Sequence, residues 1–268
     1  MNDKNSSDTT RRPRIVIAGE FSAGKTRLLN GILGQTILPS HVVSTSLPPM
    51  WLSSGDGDPL RLDVSGSWHE LTDFDAIDVM TTRFCVLQTR SPALDHMDLI
   101  DTPGNSDPNI PPECWERMIP YADMVVWCSN ANQAWRQSEK AVWEEMPDHL
   151  CGISVMVLTH ADLIPDDMAR AKVRRRVERE AGGFFQHIEM VSALDSAQVA
   201  DFAARLVDMA RNLTTLGGIA APDFNPDRIL PEVLSSARST RRPRGKVIVP
   251  RRLMPAGDGA SPSARRVP

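Results

Sequence analysis

Gly19-Glu20-Phe21-Ser22-Ala23-Gly24-Lys25-Thr26 is the stretch on which the rest of the chain is organised. Before it lies the apolar run Ile15-Val16-Ile17-Ala18, and after it Leu28-Leu29-Asn30-Gly31-Ile32-Leu33. Strand, glycine-bounded loop and helix, in that order, distinguish a GxxxxGK[ST] phosphate-binding loop from a glycine turn that carries a surface lysine. Gly19 and Gly24 let the backbone curl, so that the N–H groups from Glu20, Phe21, Ser22 and Ala23 onward face phosphate oxygens. The following helix aims its positive end at the same point. Lys25 supplies a point charge for the β- and γ-phosphates, and the Thr26 hydroxyl is placed to bind Mg²⁺.

Outward from that loop the chain alternates strands and helices. Strands are predicted at Arg14–Ala18, Pro48–Leu52, Leu60–Val64, Arg83–Thr89, Met97–Ile100, Met124–Cys128, Ile153–Leu158 and His187–Val191. Helices are predicted at Lys25–Leu33, Glu113–Tyr121, Ser138–Met146, Pro165–Ala181 and Ser196–Asn212, with a further short one over Asp73–Met80. The prolines before Met50 suggest an edge strand. The turn Gly55-Asp56-Gly57-Asp58-Pro59 suggests that this strand and the next form a hairpin. The pattern implies an α/β fold: a three-layer phosphate-loop domain, its mostly parallel sheet covered by helices on both faces. Residues 1–13 read as a disordered lead-in, 14–216 as the domain and 217–268 as a Pro/Arg-rich, largely disordered tail.

Three later segments fall where ligands bind in such sheets, beyond the carboxyl ends of strands. Asp101-Thr102-Pro103-Gly104 offers a carboxylate that can hold Mg²⁺ through water and a Gly104 N–H that can meet a γ-phosphate. Thr45, between Ser44 and Ser46 in the loop after the first helix, can complete a Mg²⁺ shell while a γ-phosphate is bound. Thr159-His160-Ala161-Asp162 places a carboxylate where it can accept from N1 and the exocyclic amine of guanine, a donor pair adenine lacks. Ser192-Ala193, after the next strand, can offer a backbone N–H to the guanine carbonyl. Trp127, Trp135 and Trp143 read as core, and the arginines of 170–179 as a solvated helix face.

The net charge of −4 divides into +8 on residues 238–268, which hold nine Arg or Lys against Asp258, and −12 on the rest. Such a tail suits an anionic membrane surface, at about 1 kcal/mol per basic residue near it, or an acidic protein partner; nucleic acid is the less favoured reading. The four cysteines are widely spaced, which argues against a zinc site and for a reducing compartment. With no apolar leader and no run of about 18 apolar residues, the expected location is cytoplasmic, with peripheral membrane association left open.

Together, the 19–26 loop, Leu38-Pro39, Thr45, Asp101–Gly104 and Thr159-x-x-Asp162 resemble the GTPase domain of the dynamin superfamily, its bacterial members above all, over residues 14 to about 213. The resemblance implies a Mg²⁺-dependent GTPase that converts GTP to GDP and phosphate, a nucleotide switch activated by dimerisation or a partner. It implies that Lys25 and Thr26 hold phosphates and Mg²⁺, that Thr45 positions the attacking water, and that Asp101 and Gly104 sense the γ-phosphate. Asp162 would read guanine. Ser22 occupies the position that helps bind a monovalent cation, K⁺ or Na⁺, across a head-to-head homodimer, in place of an arginine finger worth roughly 10³–10⁵ in rate. Two departures stand out: His160 replaces the usual lysine of the base motif, and where dynamins carry long stalk helices this sequence reads as only a short basic tail. They motivate the alternative of a non-hydrolysing scaffold or accessory partner of a fuller dynamin-like protein.

Overall fold

The structure, a computed structural model, describes residues 11–39, 47–75 and 77–213. Strand β1 (Arg14–Gly19) is entirely buried and pairs in parallel with β6 (Asp98–Asp101) on one side and β7 (Met124–Asn130) on the other. Beyond β7 lie β8 (Val155–Thr159) and β9 (His187–Met190), both parallel to it. Beyond β6 lie β2 (Met50–Ser54), β5 (Thr82–Thr89), β3 (Leu60–Asp63) and β4 (Trp68–Glu70), so the described sheet runs β4-β3-β5-β2-β6-β1-β7-β8-β9. β2 is antiparallel to β6 and parallel to β5. The sheet is thus parallel around the phosphate loop and mixed at its far side.

Alternation along the central strands sorts side chains into two apolar layers, as a period of two requires. Ile15, Ile17, Met124, Val126, Val155 and Val157 pack with Leu28 and Leu29 of α1 (Lys25–Leu33) and Phe202 and Leu206 of α5 (Ser196–Asn212). Val16, Ala18, Val125, Trp127, Met156 and Leu158 pack on the opposite face. Their neighbours there are Trp115 of α2 (Glu113–Glu116), Trp143 of α3 (Gln137–Glu144) and Val177 and Ala181 of α4 (Asp167–Ala181). Trp127, Trp135 and Trp143 are buried, as expected of core residues. Arg174 and Arg176 of α4 pair with glutamates one turn on, at Glu178 and Glu180, a solvated helix face.

Several local expectations are corrected. β2 is interior rather than an edge strand, because Pro48 and Pro49 precede its first ladder residue and cost it no donor; the Pro49 carbonyl accepts from Cys85 N–H. β2 and β3 form no hairpin, since β5 lies between them and β3 turns back onto β4 instead. Asp73–Met80 is not a helix where described; Asp73 and Asp78 each accept a hydrogen bond from the backbone N–H two residues on, the turn-forming use of aspartate. The predicted helix 113–121 breaks after one turn, and Pro120 sits in a separate short 3₁₀ turn, Ile119–Tyr121.

Candidate functional site

The carboxyl ends of β1, β6, β7, β8 and β9 lie on one side of the sheet, and the loops leaving them converge there. The loop from Gly19 to Gly24 joins β1 to α1, and Gly24 caps that helix at φ 75. That left-handed conformation is strained for any residue with a Cβ. Lys25 is buried and folds back, its Nζ donating to the carbonyls of Gly19 (3.0 Å) and Glu20 (2.7 Å). Burial lowers its pKa, opposed chiefly by Asp101. Ser22 sits at φ 58, and Phe21 projects outward, 52% exposed.

Thr26 Oγ1 donates to Asp101 Oδ2 at 2.7 Å, which unites the two predicted Mg²⁺ ligands of the described residues. Burial pushes the Asp101 carboxyl up to about 6, against the Thr26 hydrogen bond and the Lys25 charge. Its Oδ1 is buried with no hydrogen-bond partner. A desolvated carboxylate with an unused oxygen beside a hydroxyl is an incomplete oxygen shell, which fits Mg²⁺ completed by phosphate and water. Thr45, with Ser44 and Ser46, lies outside the described residues. Both approaches to it are fixed. Asn30 accepts from Ile37 and Leu38 N–H and donates to the Leu38 carbonyl, and Met50 is the register partner of Asp101.

The 101–107 segment lies down on the phosphate loop. Phe21 N–H donates to Ser106 Oγ (3.0 Å) and Asn105 N–H to the Gly19 carbonyl (3.3 Å). A Cβ at Gly104 would stand 2.5 Å from Phe21 Cα, so only glycine permits this approach.

On the base side, Thr159 Oγ1 donates to the Ala23 carbonyl at 2.8 Å, with the Ser129 carbonyl at 3.2 Å, and so ties β8 to the phosphate loop. His160, at φ 56, lays its ring against Gly24. Asp162 is exposed and accepts from Ser192 Oγ at 2.7 Å; that bond is the first cause that lowers its pKa. Ser192 N–H is taken by Gln198 Oε1, and Ala193 follows at the rim, half-buried.

Other contributors carried no motif. Glu20 pairs with Arg136 (3.0 Å) and accepts from Ser138 Oγ (2.7 Å), which braces the phosphate loop against the start of α3. Buried Glu139 holds that brace in turn by accepting from Trp127, Ser129 and the Arg136 N–H, with Trp135 forced to φ 58 beside it. Burial raises the Glu139 pKa. Only Glu20 was within a recognisable pattern; an acidic residue at the second position of the loop was the one available signal.

A family model described as the Dynamin family matches residues 15–161, more than half of the chain and the whole arc from β1 to the base loop. The chain belongs to the dynamin family. Dynamin-like protein 2 of Campylobacter jejuni subsp. jejuni serotype O:23/36 (strain 81-176) is 29% identical over 157 residues, which span 55% of this chain and 26% of that protein. Two structures from work titled as an oligomerised bacterial dynamin pair that senses and tethers membranes superpose with TM-scores of 0.55 and 0.59. Their identities are 20% and 16%; each match covers 76% of this chain, and 35% and 46% of the other. This chain therefore spans about a quarter of the curated relative's length and under half of either structure. The described domain is a dynamin-family GTPase domain. No helix among the described residues is long and apolar enough to cross a membrane.

Proposed function

We propose that this dynamin-family domain binds GTP with Mg²⁺ and hydrolyses it to GDP and phosphate, and that its nucleotide state governs association with a second copy or a partner. The observation that carries this is the Thr26–Asp101 hydrogen bond at the foot of the phosphate loop, with one Asp101 oxygen left without a partner. Mg²⁺ bound there would neutralise charge on the phosphate oxygens. The Lys25 ammonium exchanges the Gly19 and Glu20 carbonyls for phosphate oxygens, which are stronger charge-assisted acceptors. Asp162, oriented by Ser192, selects guanine, and Thr45 holds the attacking water. The Gly104 segment, resting on Phe21, shifts when the γ-phosphate arrives and again when it leaves.

Exposed apolar residues crown the same end of the sheet: Phe21, Leu163 and Leu194 leave the phosphate, base and β9–α5 loops, and Met168 begins α4. That crown supports a homodimer closed over the nucleotide, in which Ser22 helps hold K⁺ or Na⁺. The bacterial dynamin pair offers the alternative of a second, fuller dynamin-like chain as partner. Either arrangement suits peripheral membrane contact through the basic tail. The test is phosphate release from GTP and Mg²⁺, with ATP as competitor. Turnover that ATP does not suppress supports a guanine-specific GTPase. GTP binding without turnover at any protein concentration favours the non-hydrolysing partner, a reading motivated by His160.

A further inference from the structure

His160 stands where two halves of the site meet, and its hydrogen bonding fixes one tautomer. The Thr159 hydroxyl has a single proton, engaged by the Ala23 carbonyl at 2.8 Å and shared with Ser129 at 3.2 Å. At its 3.1 Å contact with His160 Nδ1, the Thr159 oxygen is therefore the acceptor, and Nδ1 carries the ring proton. Nε2 is left with a lone pair. The Cε1–Nε2 edge faces the phosphate loop: from a Cβ built at Gly24, Cε1 would be 3.2 Å away and Nε2 3.8 Å. His160 reaches this pose through a left-handed backbone, φ 56, which histidine tolerates better than most side chains.

We propose that His160 is a nucleotide-sensing residue that takes up a proton at Nε2 when a guanine nucleotide enters the loop, so that affinity rises as pH falls from 8 to 6. This rests on the nucleotide-binding function proposed above. Histidine changes charge within that range, and the incoming phosphates place negative charge beside Gly24, where the imidazolium is favoured. The charged group that interacts with the ring is Asp162 on its own loop, which favours the proton, while Arg27 of α1 acts on Asp162 and so weakens that support. From β7, the Ser129 carbonyl accepts from the Thr159 hydroxyl that faces Nδ1. A lysine at this position would hold its charge at every pH in the range; histidine makes the charge conditional. Asp101 also titrates in this range; leaving out the metal removes its effect through Mg²⁺, and what remains is common to the wild type and the variants.

The test is isothermal titration of GDP into the full chain in EDTA at pH 6 and pH 8, in buffers of different ionisation enthalpy, for the wild type, His160→Lys and His160→Gln. GDP's own phosphate titrates in the same window and cancels in the comparison between variants. The expected result is a wild-type affinity gain at pH 6, relative to pH 8, of about fivefold to tenfold over that of His160→Gln. Net proton uptake should be larger in the wild type than in either variant, and His160→Lys should bind tightly at both pH values. Equal pH dependence and equal proton exchange in the wild type and His160→Gln would overturn the inference while leaving nucleotide binding intact. No GDP binding by any of the three would overturn both.

Discussion

The Thr26 hydroxyl donates to the Asp101 carboxylate at 2.7 Å across 75 residues of sequence, joining the first turn of α1 to the end of β6. It holds a carboxylate in a buried position where it is not at ease: one oxygen is unpartnered and burial raises the pKa to about 6. The native group binds its proton at about 6, the unfolded one at its ordinary value of 3.8. Between those values the folded chain carries a proton that the unfolded chain has lost, so stability falls as pH rises through this window and the deficit persists above it. Asp101→Asn keeps an acceptor for Thr26 and removes the charge. The nucleotide-free variant should be more stable than the wild type at pH 7.5 by about 1–2 kcal/mol, a difference that closes near pH 4. Denaturant melts at the two pH values check it. Hydrolysis should be lost in the same variant.

Lys25 presents a similar balance. Its ammonium is buried against loop carbonyls, and burial lowers its pKa. Lys25→Met keeps the apolar stem and removes the charge. Thermal stability without nucleotide should be unchanged or higher, while affinity for GTP falls by about a hundredfold or more, the loss of a charge-assisted phosphate contact. Fluorescent-nucleotide titration beside a thermal melt reads both. A variant that melts lower and binds as the wild type does would show that Lys25 serves the fold alone.

The Glu20–Arg136 pair places a carboxylate beside a loop meant for anions, with Arg136 as its neutralising partner. Arg136→Ala should lower nucleotide affinity by roughly fivefold, since it leaves Glu20 half of a broken pair. Adding Glu20→Gln should restore most of that loss. A double-mutant cycle on nucleotide affinity measures the coupling; simple additivity would mean the pair is a surface ornament.

Gly104→Ala forces a Cβ to within 2.5 Å of Phe21 Cα, a contact that backbone must relieve. The 101–107 segment should lift from the phosphate loop. GTP turnover should fall by more than about tenfold, with a stability loss of only about 1 kcal/mol, because the segment's contact with the loop is local. Amide exchange at Phe21, whose N–H is held by Ser106, should quicken in the variant.

The sequence discloses those parts of this domain whose chemistry is periodic or local. Buried parallel strands such as β7 are built on continuous apolar runs, here Met124–Cys128, and the phosphate loop is a spacing rule written in consecutive residues. The order of β2, β5 and β3 was hidden, because it depends on which strand inserts between two others, and proline before a strand looks the same at an edge and in the interior. Asp162 and Ser192 could be named separately, but the hydrogen bond between them is a property of the fold. Beyond the acid at the loop's second position, the brace from Glu20 through Arg136 and Glu139 had no sequence signature, since ion pairs and buried carboxylates carry no period. The packing of His160 on Gly24 likewise needed the left-handed turn to be seen.

The central claim is GTP hydrolysis by a site that is completed on association. Its most direct test is GTP turnover per molecule over about a hundredfold range of protein concentration, in K⁺ buffer and in buffer free of K⁺ and Na⁺, with Lys25→Met as control. The account predicts specific activity that rises with concentration, depends on the monovalent ion and is absent from the control. Phosphate release that is nil at every concentration, or indistinguishable between the wild type and Lys25→Met, would contradict it.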